Sequence, residues 1–282
     1  MRASLHSATF ILLLAMSFTS AKAAEPELAA LGDAVPGAAS ATFFDLARAF
    51  VPDLQPDGMG WIGHALDPTL SKRLDLETDW PEGLAIDGVE TMTLGSGENQ
   101  RLAVLFDFGP LSEEPLAPAI LALYTTTGEP QLIDAVNVGL DRETGLIESG
   151  ALDLGDGTQA IVSESSHWNS NQTYRTTSIV LAEANQLQSV DDILTLSERY
   201  CGLNRLQEPV ISVEPEKTGG RAAIRVEVRL RDEKVEESCD TQKELSNART
   251  VSVLYHWNGA TKTYQPDSQD LKRLEDENEK RF

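Results

Sequence analysis

GVETMTLGSGENQRLAVLF, residues 88–106, and GLIESGALDLGDGTQAIVS, residues 145–163, follow one pattern. Each runs from a strand-like segment through a Leu-Gly-x-Gly turn into another strand-like segment, the turns being Leu94–Gly97 and Leu154–Gly157. A looser third copy, PVISVEPEKTGGRAAIRVEV, occupies residues 209–228. Short runs of Val, Ile, Leu, Thr and Tyr between glycine-bearing turns read as β-strands, because branched side chains suit a pleated surface and glycine supplies the turn. Each copy is followed by a longer loop and then a second hairpin, at 119–136, 177–194 and 251–265. The last of these turns on Asn258-Gly259, a strong short hairpin signal. The expected fold is therefore mainly β: three tandem four-stranded antiparallel meanders across residues 86–266, with a period of roughly 60 residues. Three such units are fewer than the roughly four to eight that close a propeller. They are expected as propeller-like blades or an open, stacked β array, with an ordinary β-sandwich as the alternative.

Outward from this region the texture changes. Residues 1–23 have the form of an export signal: Arg2 at the start, the apolar run 8–18, and the small-x-small site Ala21-Lys22-Ala23. Residues 24–38, with Pro26, Gly32, Pro36 and Gly37, read as a flexible arm. Residues 39–85 read as a short helix capped by Ser40, with Phe43, Phe44, Leu46, Ala47 and Phe50 on one side, ended by Pro52 and Pro56. An irregular stretch anchored by Trp61 and Trp80 follows. Residues 267–282 read as a charged C-terminal helix held by Leu271 and Leu274.

Export places the protein in the periplasm or outside the cell. The formal net charge is −22, and becomes −24 once Arg2 and Lys22 leave with the signal. Such a charge repels nucleic acid and anionic lipid, and draws basic partners. No cysteine stands at the cleavage site and no second apolar run of membrane length occurs, so neither a lipid anchor nor a membrane span is expected. Cys201 and Cys239 are the only cysteines, and in an oxidising compartment an even pair reads as one disulfide. In an up-down meander both would lie at the end that also carries the long loops 109–118, 167–173 and 232–248. Long loops on a rigid scaffold are where binding concentrates.

His167-Trp168-Asn169-Ser170-Asn171 is the densest polar and aromatic cluster, suited to a sugar ring or a protein side chain. The bland alternative is a loop whose Trp folds back and whose amides make turns. Glu236 and Glu237, with Asp232 and Glu233, form an acidic cluster that suits a basic partner. Asp153 and Asp156 are weak candidates for calcium, since a calcium site needs about six or more oxygens. No Gly-x-Ser-x-Gly elbow, metal-pair histidine spacing or phosphate loop occurs, so no catalytic residue and no cofactor are expected.

The turn Leu154-Gly155-Asp156-Gly157-Thr158 and the ending YHWNGATKTYQPDSQDL, residues 255–271, resemble exported bacterial proteins with propeller-type or FG-GAP-like repeats. The resemblance covers about the last two-thirds of the chain and implies a β-repeat scaffold. The acidic calcium pattern of FG-GAP repeats is not reproduced, so no ligand residue follows from it. The expectation is a non-enzymatic exported protein that binds a protein or envelope component through its long-loop end. The alternative is a secreted hydrolase that acts on a polysaccharide in an acidic cleft.

Overall fold

The computed structural model describes residues 25–281 apart from Met59, 112–117, 148–149, Ala184 and 237–244, together with the side chains of Pro110 and 216–218. The first part of the chain forms β1 (Glu27–Ala30), α1 (Phe43–Ala47), β2 (Gln55–Asp57), β3 (Gly60–Ala65), α2 (Pro68–Leu74) and β4 (Asp79–Ile86). Next come β5 (Gly88–Leu94), β6 (Arg101–Asp107), β7 (Gly109–Pro110), β8 (Ala119–Thr125) and β9 (Leu132–Asn137). The second half contains β10 (Glu143–Leu146), β11 (Leu152–Gly155), β12 (Thr158–Trp168), β13 (Gln172–Glu183) and β14 (Gln186–Tyr200). It ends with β15 (Leu203–Thr218), β16 (Arg221–Lys234), β17 (Arg249–Asn258), β18 (Thr263–Pro266) and α3 (Asp270–Glu279). The strands make a four-stranded sheet β2-β3-β4-β7, a five-stranded sheet β1-β5-β6-β8-β9 and a nine-stranded sheet from β10 to β18, in which β10 and β11 both pair with β12.

The chain is mainly β, as its sequence indicates, and within 86–265 the one described helical element is the 3-10 turn Gly97–Asn99. The first expected unit is a meander, β5-β6-β8-β9. The second and third units are not separate blades, because β14 pairs with β15 and joins them into one sheet. That pairing is short: Glu198–Tyr200 meets Leu203–Arg205, whereas β15 then follows β16 over nearly its whole length. Past this corner the two halves of the sheet face each other.

Alternation of side chains then builds three cores in series. Val104, Phe106, Ile120 and Ala122 pack with Phe50 after α1, Leu66 between β3 and α2, and Leu84 and Ile86 of β4. Their strand neighbours Ala103, Leu105, Leu121 and Leu123 pack on Ile161, Val180 and Ala182 of the nine-stranded sheet. On the opposite face, Ala160, Ile179 and Leu181 pack with Ile224, Val226, Val253 and Tyr255, and Leu271 and Leu274 of α3 close this core. Strands β6, β8, β12 and β13 are thus apolar on both faces. This explains the near-continuous runs LAVLF and SIVLA.

Several expectations are corrected. The segment 24–38 is no free arm: Glu27–Ala30 pairs with Gly88–Thr91, and Leu31 and Val35 are buried. The stretch 57–85 is not irregular, since it supplies β3, α2 and β4, although Trp61 and Trp80 do pack on the first core. The cap of α1 is Thr42 and not Ser40: the Thr42 hydroxyl accepts from the Asp45 N–H and the Asp45 carboxylate accepts from the Thr42 N–H, a reciprocal cap. Asn258-Gly259 is not a two-residue turn. The loop runs to Lys262, whose N–H donates to the Asn258 carbonyl at 2.8 Å while the Asn258 side chain accepts from Ala260 and Thr261. The turns Asp156-Gly157 and Gly219-Gly220 do have the tight form, with φ of 56° and 69° in the first and 62° and 92° in the second. Finally, 167–173 is no long loop: β12 and β13 are paired up to Trp168 and Thr173. Among the described residues no helix is long and apolar enough to cross a membrane.

Candidate functional site

The β12–β13 hairpin is closed by Asn169. Its side-chain oxygen accepts from the N–H groups of Asn171 (3.1 Å) and Gln172 (2.9 Å), and its own N–H donates to the Gln172 carbonyl. Asn169 is thus a turn-maker, as the bland reading had it. His167 is also committed within the fold: Nδ1 hydrogen-bonds the buried Asp141 carboxylate, and the ring stacks on Tyr174 with centroids 4.5 Å apart. The Tyr174 hydroxyl in turn donates to Gln172 Oε1 at 2.5 Å. Between the bound side chains of His167 and Asn169, Trp168 stands out at the end of the sheet, 68% exposed.

The strand register shows what lies beside it. Trp168 pairs with Thr173, which pairs with Ser197, so the three make one rung across β12, β13 and β14. The Asn171 carbonyl accepts from the Arg199 N–H at 2.7 Å, and Arg199 pairs with Asn204 across β14 and β15. These rungs line a groove of about 290 Å³, which Leu206 also borders. Its carboxylate, Glu198, is only 4% exposed and ion-paired with Arg281, and accepts from Gln172 Nε2 at 3.2 Å. Sequence reasoning found Trp168 and Asn171 but missed Glu198 and Arg199, which the β13–β14 pairing brings to the site, and Asn204, which arrives through the β14–β15 corner.

Two members of the expected acidic cluster, Asp232 and Glu233, are paired with arginines. Asp232, 1% exposed, receives Arg205 Nε and Nη2 at 3.1 and 3.2 Å, and the Ser246 N–H and hydroxyl at 2.7 Å each. Burial works to raise its pKa, yet the hydrogen bonds from Arg205 and Ser246 outweigh it and hold the carboxyl down at about 2. Glu233 lies 3.2 Å from Arg231. Glu236 is exposed just beyond β16, whereas Glu237 and Cys239 lie outside the described residues. Cys201 sits in the turn between β14 and β15. Asp153 lies on β11 and accepts from the Gly155 N–H at 2.8 Å, and Asp156 is in the turn that follows. Among the described residues no three His, Cys, Asp or Glu side chains gather as a metal-binding set.

A second concavity, unforeseen from the sequence, lies between the five- and nine-stranded sheets. Asp107 and Glu90 continue the apolar stripes Ala103–Leu105 and Met92–Leu94 toward β10. Asp107 accepts from the Thr144 N–H (3.1 Å) and Glu90 from the Leu146 N–H (2.7 Å). The two carboxylates thereby satisfy alternate N–H groups on an edge strand, where a further strand would otherwise pair. Burial raises Asp107 to about 6 against the Thr144 hydrogen bond, with Glu143 and Glu90 adding repulsion, and also raises Glu90 and Glu164. Asp107 Oδ1 is buried with no hydrogen-bond partner among the described residues. The cleft at Asp107 and Glu143 measures about 540 Å³ and carries no aromatic ring. A carboxylate inside an apolar run, Phe106-Asp107-Phe108, was the sequence signal for it.

Comparison with known protein families, with curated proteins and with solved structures finds no match to this chain.

Proposed function

We propose that the chain is an exported, non-enzymatic binding protein of the bacterial envelope, working in the periplasm or outside the cell on a β-repeat scaffold. It engages a protein or other envelope component through the end of the nine-stranded sheet that carries Trp168. The observation that carries this reading is the exposure of Trp168 on a hairpin whose His167, Asn169, Gln172 and Tyr174 side chains are bound within the fold. A large, rigid ring held in solvent on a fixed scaffold gives contact area at little ordering cost.

The test is capture from envelope extract. Trp168→Ala is expected to abolish capture, while Asp156→Asn and Lys262→Gly, at exposed turns of the opposite strand ends, leave it intact. The reverse pattern overturns the proposal.

One observation favours a second reading, a hydrolase acting on polysaccharide: the raised carboxyl group of Asp107 beside Glu143 in a cleft. Against it stand the lack of a ring for a sugar to stack on and the use of Asp107 and Glu90 to close β10. Release of reducing ends from polysaccharide, lost in Asp107→Asn, would favour the hydrolase.

A further inference from the structure

We infer that the groove beside Trp168 takes an uncharged carbohydrate chain. The inference rests on the proposed binding face and names its ligand class. A pyranose ring offers a C–H face that is apolar and a rim of hydroxyls that both donate and accept. An exposed indole matches the first, and groups that themselves donate and accept match the second. The groove supplies this pairing. Trp168 stands at one side, Ser170, Asn171, Thr173, Ser197 and Asn204 bring amide or hydroxyl side chains, and Arg199 and the buried Glu198 also border the groove.

The competing occupants fit less well. A basic peptide needs accessible carboxylates, but Glu198 is buried against Arg281 and Asp232 against Arg205. An apolar helix needs a broad apolar surface, and the groove offers Trp168 and Leu206 alone. A polyanionic glycan meets a chain of net charge −22, whose field opposes its approach. The walls are already ordered by the Asn169 turn and the Asn171–Arg199 backbone bond, so binding costs little conformational entropy.

The test titrates the full mature chain with chitotetraose, cellotetraose and maltotetraose, with a Lys-rich decapeptide as the rival probe, by calorimetry and tryptophan fluorescence. At least one neutral tetrasaccharide is expected to bind and to shift the fluorescence. Its affinity should be unchanged between about 50 and about 500 mM salt, since a neutral sugar brings no charge to be screened. Trp168→Ala should weaken it by about tenfold or more, and Trp168→Phe by less, because a ring face is kept. Asn204→Ala tests the rim and should weaken it several-fold, on the order of one lost hydrogen bond. Circular dichroism keeps misfolded variants out of the comparison. If no tetrasaccharide binds the folded protein, or binding survives Trp168→Ala, the inference is overturned. If the basic peptide binds instead, with salt sensitivity and through Trp168, the sugar inference fails while the binding face stands. If Trp168→Ala also leaves envelope capture unchanged, both fail.

Discussion

Gln207 and Asn278 are paired face to face by their side-chain amides. Gln207 Nε2 donates to Asn278 Oδ1 at 2.8 Å, and Asn278 Nδ2 donates to Gln207 Oε1 at 2.9 Å. The pair sits where β14 and β15 part, and takes over the backbone groups freed there. Gln207 Oε1 also accepts from the Leu196 N–H, and Asn278 also donates to the Leu194 carbonyl. A sheet can turn this corner only if those groups find partners, and α3 brings one of them with Asn278, 0% exposed.

Asn278→Leu and Gln207→Leu are each expected to destabilise the fold by about 2 kcal/mol, because each strands buried polar groups. The double variant should lose less than the sum, since it removes both amides together. Urea denaturation of the four proteins checks this, and strict additivity would mean that the two amides do not act as a unit.

Asp107 gives stability a particular pH dependence. Its folded pKa of about 6 lies above the ordinary 3.8, so between these values the folded chain holds a proton that the unfolded chain has released. Its contribution therefore falls as pH rises from about 4 to about 6, and is level above that. Asp107→Asn keeps an acceptor for Thr144 and removes the buried charge. The variant should be more stable than the parent at pH 7 by on the order of 1 to 2 kcal/mol and nearly equal at pH 4. A loss of the same size at both values would show that the carboxylate itself is needed.

Asp232 has the opposite sign. Its folded pKa, about 2, lies below the ordinary 3.8. Its contribution is present above pH 4 and is lost only as pH falls toward 2. Asp232→Ala leaves Arg205 and Ser246 without their acceptor and should cost about 3 kcal/mol at pH 7. Hydrogen exchange should accelerate first at Ser246, whose N–H donates to this carboxylate. Protection there equal to the parent's would refute the anchoring role.

What the sequence made legible is what depends on neighbouring residues. Asp156-Gly157 and Gly219-Gly220 announce tight turns because both central positions need positive φ. Leu271 and Leu274 announce the buried side of α3 through helical spacing. The corner at β14 and β15 was hidden because it depends on which distant strand each edge meets. Nothing in the sequence marks Gln207 and Asn278 for burial, since only their tertiary partners justify it. The hairpin at Trp168 looked like a loop because HWNSNQT lacks apolar alternation: one side meets Asp141 and Tyr174, and the other faces the groove. Trp168 was found by composition, whereas Arg199 and Asn204 join it only through register.

The disulfide between Cys201 and Cys239 is the remaining expectation, and the described chain on either side supports it by reach. Cys201 lies in the turn that joins Tyr200 to Leu203. Leu203 pairs with Lys234, and the Val235 N–H donates to the Gly202 carbonyl at 3.0 Å. Val235 is therefore beside the residue that follows Cys201, and Cys239 is four positions further along. Four residues span at most about 14 Å, and a bridge needs the two Cα atoms only about 5.5 Å apart, so the chain reaches with slack. Closing a loop of this length restricts the unfolded chain by about 4 kcal/mol on the entropy account. Peptide mapping without reductant should recover Cys201 and Cys239 in one linked species. Reduction, or Cys239→Ser, should lower the urea midpoint while the strand signal in circular dichroism persists, because the three apolar cores do not depend on the bridge. Two free thiols in protein taken from an oxidising compartment would refute the pairing, and with it the expectation that the segment after β16 is fastened beside the Trp168 end.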